Sequence, residues 1–237
     1  MIVNKRDVDL SFEKVKESIV FRVIGENKLR DYKNKNAGNV LYSLVGNEMY
    51  MIYVIEIDKN ASIVFTDMLM EKLGSSEEEI IKLAKKNTEK IYPPVLKNVE
   101  NAILETIAMK EHDDDNLEMK NLLKYRSNNN LLEAEQMTLS HSEGEQMHVL
   151  TNSQTKYGAG VIFYDGILRK VSKIFGDDLF LIPSSIHEII LLPRYANVTE
   201  DDLNIILNDV NDGFLNDDEI LGLHVMVYDA KTGKIKG

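Results

Sequence analysis

The 237-residue chain contains no cysteine, which removes disulfides, thiolate metal sites and cysteine nucleophiles together. No apolar run approaches the length of a membrane span, and the opening residues, MIVNKRDVDL, carry no apolar signal core. The expectation is a cytoplasmic protein without membrane contact. Cations are also short: 28 basic side chains stand against 39 acidic ones, a net charge of -11. A surface of that sign repels nucleic-acid phosphates and anionic lipid, so direct binding to either is disfavoured. A phosphate-cradling glycine loop, a dinucleotide glycine pattern and a basic patch interleaved with aromatics are missing as well. No cofactor is expected.

What remains is ordinary globular material, 43% hydrophobic and 28% charged, with enough length to bury a substantial core. Ser11 to Glu26 sets Phe12, Val15, Ile19 and Val23 on one helical stripe. A polar stretch, NKLRDYKNKNAGN, leads to the strand-like runs VLYSLV and MYMIYVIEI, with Gly46-Asn47 as the turn pair between them. ASIVF reads as another strand. GSSEEEIIKLAKKN opens on a capping box, Ser75 or Ser76 with Glu78 or Glu79, and its helix stops before Pro93-Pro94. Leu96, Val99, Ile103 and Ile107 then fall in helical register.

Residues 111–146 are polar, rich in Asn, Glu and Ser, and poor in β-branched residues, as a linker or functional insertion would be. After them, MHVLT, GVIFY, DLFLI, IHEIILL and HVMVYD read as strands. Asp165 is placed to cap a helix ended by Gly176, and Thr199 with Asp202 opens another, striped by Leu203, Ile206, Leu207, Val210 and Phe214. Residues from Lys231 onward are expected to trail off. The fold class is therefore α+β: two lobes of antiparallel sheet with helices packed on one face, over residues 1–110 and 147–237. NASIVFTDMLMEKLG and GAGVIFYDGILRKVSKIFG align Asp67 with Asp165, which suggests an internal strand-helix duplication.

Three stretches carry chemistry-bearing side chains. In LIPSSIHEIIL, Ser184-Ser185 after Pro183 supply turn hydroxyls, so the segment reads as a hairpin. His187 and Glu188, adjacent on the second strand, would then point to opposite faces, His187 inward and Glu188 outward. A hydrolase using His187 with Ser185 or Glu188 is the alternative, although neither a G-x-S-x-G elbow nor an H-E-x-x-H pair is present. His112, Asp113, Asp114 and Asp115 would serve a metal-binding regulator only if a loop folded them around an ion. NDVNDGFLNDDE imitates a calcium loop, but Val210 occupies a ligand position and Gly213 reads as a helix C-cap. No catalytic residue is assigned.

With these residues laid out, the chain resembles domain of unknown function family 5688. The resemblance is carried by SIVFRVI, VLYSLV, ASIVFTDMLMEKLGSSEEEIIKLAKKNTEKIYPPVL and MHVLTNSQTKYGAGVIFYDGILRKVSKIFGDDLFLIPSSIHEIILLP, with VND and VYDAKTGK near the end. It spans roughly Asp9 to Lys234. It implies an accessory protein of Firmicutes mobile elements and no particular activity. Together with the charge, the resemblance leads us to expect a non-enzymatic, acidic interaction protein, an inhibitor or decoy. Its expected partner is a basic, nucleic-acid-handling host or defence protein.

Overall fold

The structure is a computed structural model that describes residues 11–58, 61–99, 147–194 and 198–237. Helix α1 (Phe12–Val15) and one 3-10 turn (Lys16–Ser18) lead directly into strand β1 (Ile19–Gly25). The helix expected as far as Glu26 ends this early because IVFRVI is dominated by β-branched residues and Phe. Such residues lose χ1 freedom in a helix and pack well on a pleated surface. The polar stretch that follows is instead helix α2 (Glu26–Lys35), which buries Leu29.

Strands β2 (Tyr42–Gly46) and β3 (Met49–Glu56) form the expected hairpin, but its turn is Asn47-Glu48, one residue later than predicted. A bulge between Leu44 and Gly46 takes up the slip. Strand β4 (Ser62–Val64), helix α3 (Asp67–Leu73) and helix α4 (Glu77–Ile91) follow. Thr66, rather than Asp67, caps α3 by accepting the Leu69 N–H, and Ser76 caps α4 by accepting that of Glu79. After Pro93 the chain forms strand β5 (Pro94–Asn98), so Leu96 lies on a strand and not on the helix expected there. Ile103, Ile107 and the segment 111–146 lie outside the described residues.

Strand β6 (His148–Asn152) is next. GVIFY is not a strand but part of a 3-10 segment (Gly158–Phe163), because two glycines let it run close against its neighbours. A Cβ at Gly158 would sit 2.1 Å from Thr151 Oγ1 and 2.5 Å from the His187 carbonyl oxygen, and one at Gly160 would sit 2.9 Å from the Phe21 ring. The proposed duplication therefore breaks down at its strand. Helix α5 (Ile167–Phe175) starts from Gly166, not from an Asp165 cap, and ends at Gly176 as expected. The Asp165 N–H donates to Glu89 Oε1 at 3.0 Å instead.

Strands β7 (Leu179–Ser185) and β8 (Glu188–Pro193), helix α6 (Glu200–Phe214) and strands β9 (Met226–Asp229) and β10 (Lys234–Lys236) complete the chain. Beyond a turn at 230–233, the residues expected to trail off thus return as an edge strand, β10. Thr199 and Asp202 form the anticipated capping box, whereas α6 runs through Gly213 to a C-cap at Leu215.

The architecture is α+β. Among the described residues the strands form two antiparallel sheets. In one, β3 pairs with β1 along one edge and with β2 and then β4 along the other. The other sheet runs β10-β9-β7-β8-β6-β5, so a strand from before residue 110 completes a sheet built mostly from the second half. Alternation along β1 and β3 divides their side chains. Phe21, Val23, Met51 and Tyr53 join a core cluster with Leu150, Leu181 and Ile189 of the second sheet, to which α3, α4 and α5 also contribute. Val20, Ile24, Ile52 and Val54 face Leu29 of α2. On the far side, Phe180, Ile182, Leu192 and Val227 pack against Leu203 and Leu207 of α6. Both faces of the central strands are covered, so their sequences are nearly continuously apolar.

Candidate functional site

The β7–β8 connection is a hairpin, but its turn is Ile186-His187, with a bulge between Ile182 and Ser185. Ser185 Oγ accepts the backbone N–H of His187 at 3.1 Å, so this hydroxyl serves the turn. The turn is held from three directions. Ile186 donates its N–H to the Glu219 carbonyl at 3.0 Å and accepts from Ala159 at 3.3 Å, while Thr151 Oγ1 donates to the His187 carbonyl at 2.8 Å.

Because His187 sits in the turn, strand alternation does not orient it, and the inward-outward split with Glu188 is not observed. The His187 side chain is 34% exposed. Its Nδ1 accepts the Tyr157 backbone N–H at 3.2 Å, and its Nε2 lies 3.8 Å from Glu219 Oε1. Burial lowers its pKa, aided by Lys156 and Lys28 and opposed by Glu219 and Asp218. Glu188 is itself half-buried. Burial raises its carboxyl, opposed by the charge of Lys97 and a hydrogen bond with Ser184. Ser185, His187 and Glu188 are thus committed to different partners and do not converge on one point. His112, Asp113, Asp114 and Asp115 lie outside the described residues. Among the described residues no group of three or more His, Asp or Glu side chains is placed to hold a metal ion.

Tyr157 links the turn to a cleft that no sequence spacing announced. It is held at φ 53°, and Thr155 two residues earlier at φ 51°. Such backbone costs a bulky residue roughly 1–3 kcal/mol and persists only where its surroundings impose it. The Arg22 guanidinium lies 4.3 Å above the Tyr157 ring. Arg22 donates from Nη2 to Glu56 Oε1 and from Nη1 to Ser62 Oγ, each at 3.0 Å. The Tyr92 hydroxyl donates to Glu56 Oε2. Burial, then the bond to Glu56, pushes the Tyr92 phenol far above its ordinary value, so it remains a proton donor at any physiological pH. Above this floor opens a cleft of about 380 Å³. Arg22, Glu56, Tyr92 and Tyr157 come from β1, the end of β3, the C-cap of α4 and the β6 loop. Their only local trace was the glycine after Tyr157.

A second feature lies on α6. Leu203, Leu207 and Asn211 face the sheet, but Ile206 is 56% exposed, Ile205 62% and Phe214 85%. The predicted stripe therefore splits, with Leu203 and Leu207 in the core and Ile206 and Phe214 outside it. Asp201, Asp209 and Asp212 stand at i−4, i+4 and i+7 of Ile205, so carboxylates share its face. From Val198 to Leu223 the chain has eight carboxylates and no Lys, Arg or His. The loop after α6 is tied back to the first sheet's helix by an ion pair between Asp218 and Lys28.

Among the described residues no helix is long and apolar enough to cross a membrane. No curated protein and no solved structure matches the chain. The model of a family of unknown function, DUF5688, matches residues 3–230, and the chain belongs to that family.

Proposed function

We propose that this chain is a non-enzymatic interaction protein that captures a basic protein partner on the outer face of α6. The observation that carries the reading is the pairing of exposed Ile205 and Ile206 with carboxylates on a helix lacking any cation, with exposed Phe214 at its C-terminal end. Large exposed apolar side chains ringed by charge are the usual make-up of a docking surface: the apolar centre supplies affinity and the charged rim supplies partner choice and association rate. The partner is basic because the five carboxylates of α6, on a helix with no Lys, Arg or His, repel an acidic one and steer a cationic one. Nucleic-acid-handling proteins present such surfaces, and an inhibitor or decoy acts by occupying them. The expected setting, a Firmicutes mobile element, would supply targets of this kind, but the reading does not depend on it.

The test uses a synthetic amphipathic helix with an apolar stripe bordered by lysines, and a control in which glutamates replace the lysines. The full chain should bind the basic peptide saturably, more weakly as salt rises, and should ignore the acidic one. Ile206→Ser combined with Ile205→Ser should weaken binding at least about tenfold without altering the fold. Equal binding by this variant, or binding indifferent to salt, would overturn the proposal.

A further inference from the structure

The cleft above Arg22 and Glu56 is separate from α6, none of whose residues line it. Its volume, about 380 Å³, falls within the range of small-molecule sites. Its mouth carries two aliphatic side chains that water would ordinarily disfavour, Ile57 and Ile91, both about two-fifths exposed. Its walls include two aromatic residues, Tyr92 and Tyr157. Tyr157 is the costly one, since a φ of 53° at a bulky residue is retained only when the structure fixes the ring in one place.

The floor is polar yet charge-balanced. Arg22 and Glu56 neutralise each other at 3.0 Å, and the two other charged residues at the cleft, Lys156 and Asp58, are of opposite sign. An ion on this floor would have to compete with the Arg22–Glu56 pair, whereas a neutral guest would not. The paired floor still has capacity. Among the described residues, two of the five guanidinium N–H donors of Arg22 are engaged. Glu56 accepts one bond at each oxygen, out of about four lone-pair positions. A donor therefore lies beside an acceptor, next to the Tyr92 ring and the Tyr157 ring, one face of which Arg22 already covers. This is the complement of a flat molecule bearing an acceptor and a donor on one edge, as nucleobases do.

We infer that the cleft binds an uncharged, planar heteroaromatic molecule of nucleobase or nucleoside size, with its ring among Tyr92, Tyr157 and the aliphatic lips and its polar edge on Arg22 and Glu56. Titrating the full chain with each of the four common ribonucleosides tests this by calorimetry and by tyrosine fluorescence. At least one should bind saturably, with a Kd below about 1 mM. Tyr157→Asn keeps a residue that tolerates this backbone and removes the ring, so binding should weaken about tenfold or more. Ile91→Glu, at an exposed lip, should weaken binding without touching the floor. It supplies the answer if the first variant fails to fold. The matching nucleoside monophosphates should bind no more tightly than the nucleosides. The inference is overturned if no nucleoside saturates, if folded variants bind as the parent does, or if the charged monophosphates bind tenfold better.

Discussion

Tyr157 gives its backbone N–H to Nδ1 of His187 at 3.2 Å, which joins the strained wall of the cleft to the β7–β8 turn. An acceptor at Nδ1 requires a neutral imidazole with its proton on Nε2, the atom facing Glu219. Protonation would set a donor against a donor and break the link.

The sign of the pH effect follows from burial, which holds the folded pKa of His187 below its ordinary value near 6.5. Stability from the neutral ring is complete above that value and is lost as pH falls through it toward the folded pKa. His187→Asn keeps an acceptor near Nδ1 and cannot titrate. The urea midpoint of the parent should therefore drop relative to this variant as pH falls below about 6.5. Parallel midpoints across the range would remove the link from the account.

Glu188 has the opposite dependence. Its carboxyl is raised by burial above the ordinary value of 4.5, so the folded state carries an ionised group at a cost at neutral pH. Glu188→Gln keeps the shape and the reach to Ser184 while removing that charge. The variant should be more stable than the parent at pH 7, and the advantage should vanish as pH falls below about 4.5. A loss of stability at pH 7 would mean that Lys97 outweighs the desolvation.

Much of the fold was legible, and the misses have physical causes. Thr199-Asp202, Ser76 and Gly176 announced helix ends through local hydrogen bonding, which needs no tertiary context. Ile19 and Val23 satisfied a helical period on a strand buried on both faces, where every residue but Arg22 is apolar or glycine and periodicity carries little information. GVIFY has strand composition, but the contacts that require Gly158 and Gly160 are with Thr151, His187 and Phe21. The cleft fared worst. Arg22, Glu56, Tyr92 and Tyr157 meet through sheet pairing and loop placement, so no spacing relates them. His187 was noticed for its neighbours in sequence, whereas its working partners are Tyr157 and Glu219.

The division of the α6 stripe gives a paired test. Leu207 is 2% exposed and packs with Phe180 and Ile182, so Leu207→Ala should cost about 2–5 kcal/mol. Ile206, more than half exposed, should cost under about 0.5 kcal/mol on the same change. Thermal or urea unfolding of both variants measures the difference directly. Similar losses would mean that Ile206 is covered in solution and that the docking face has been misassigned.

The edge of β1 supplies the last prediction. A strand edge leaves backbone groups without ladder partners, and α4 covers this one with two side chains. Asn87 Nδ2 donates to the carbonyls of Lys16 and Ile19, at 2.8 and 2.9 Å. Thr88 Oγ1 accepts the Phe21 N–H at 2.9 Å and donates to the Ala84 carbonyl at 2.6 Å. Both residues are buried, so water has little access to these bonds. Thr88→Val preserves the volume and strands the Phe21 N–H in an apolar setting, which should cost about 1–3 kcal/mol. Thr88→Ser keeps the hydroxyl and loses only a methyl group, so it should cost less. Amide exchange separates the hydrogen bond from the packing: in the valine variant the Phe21 amide should lose protection, while that of Ile24, which faces β3 further along the sheet, keeps it. If serine proves as damaging as valine, the methyl contact and not the hydrogen bond holds α4 against the strand.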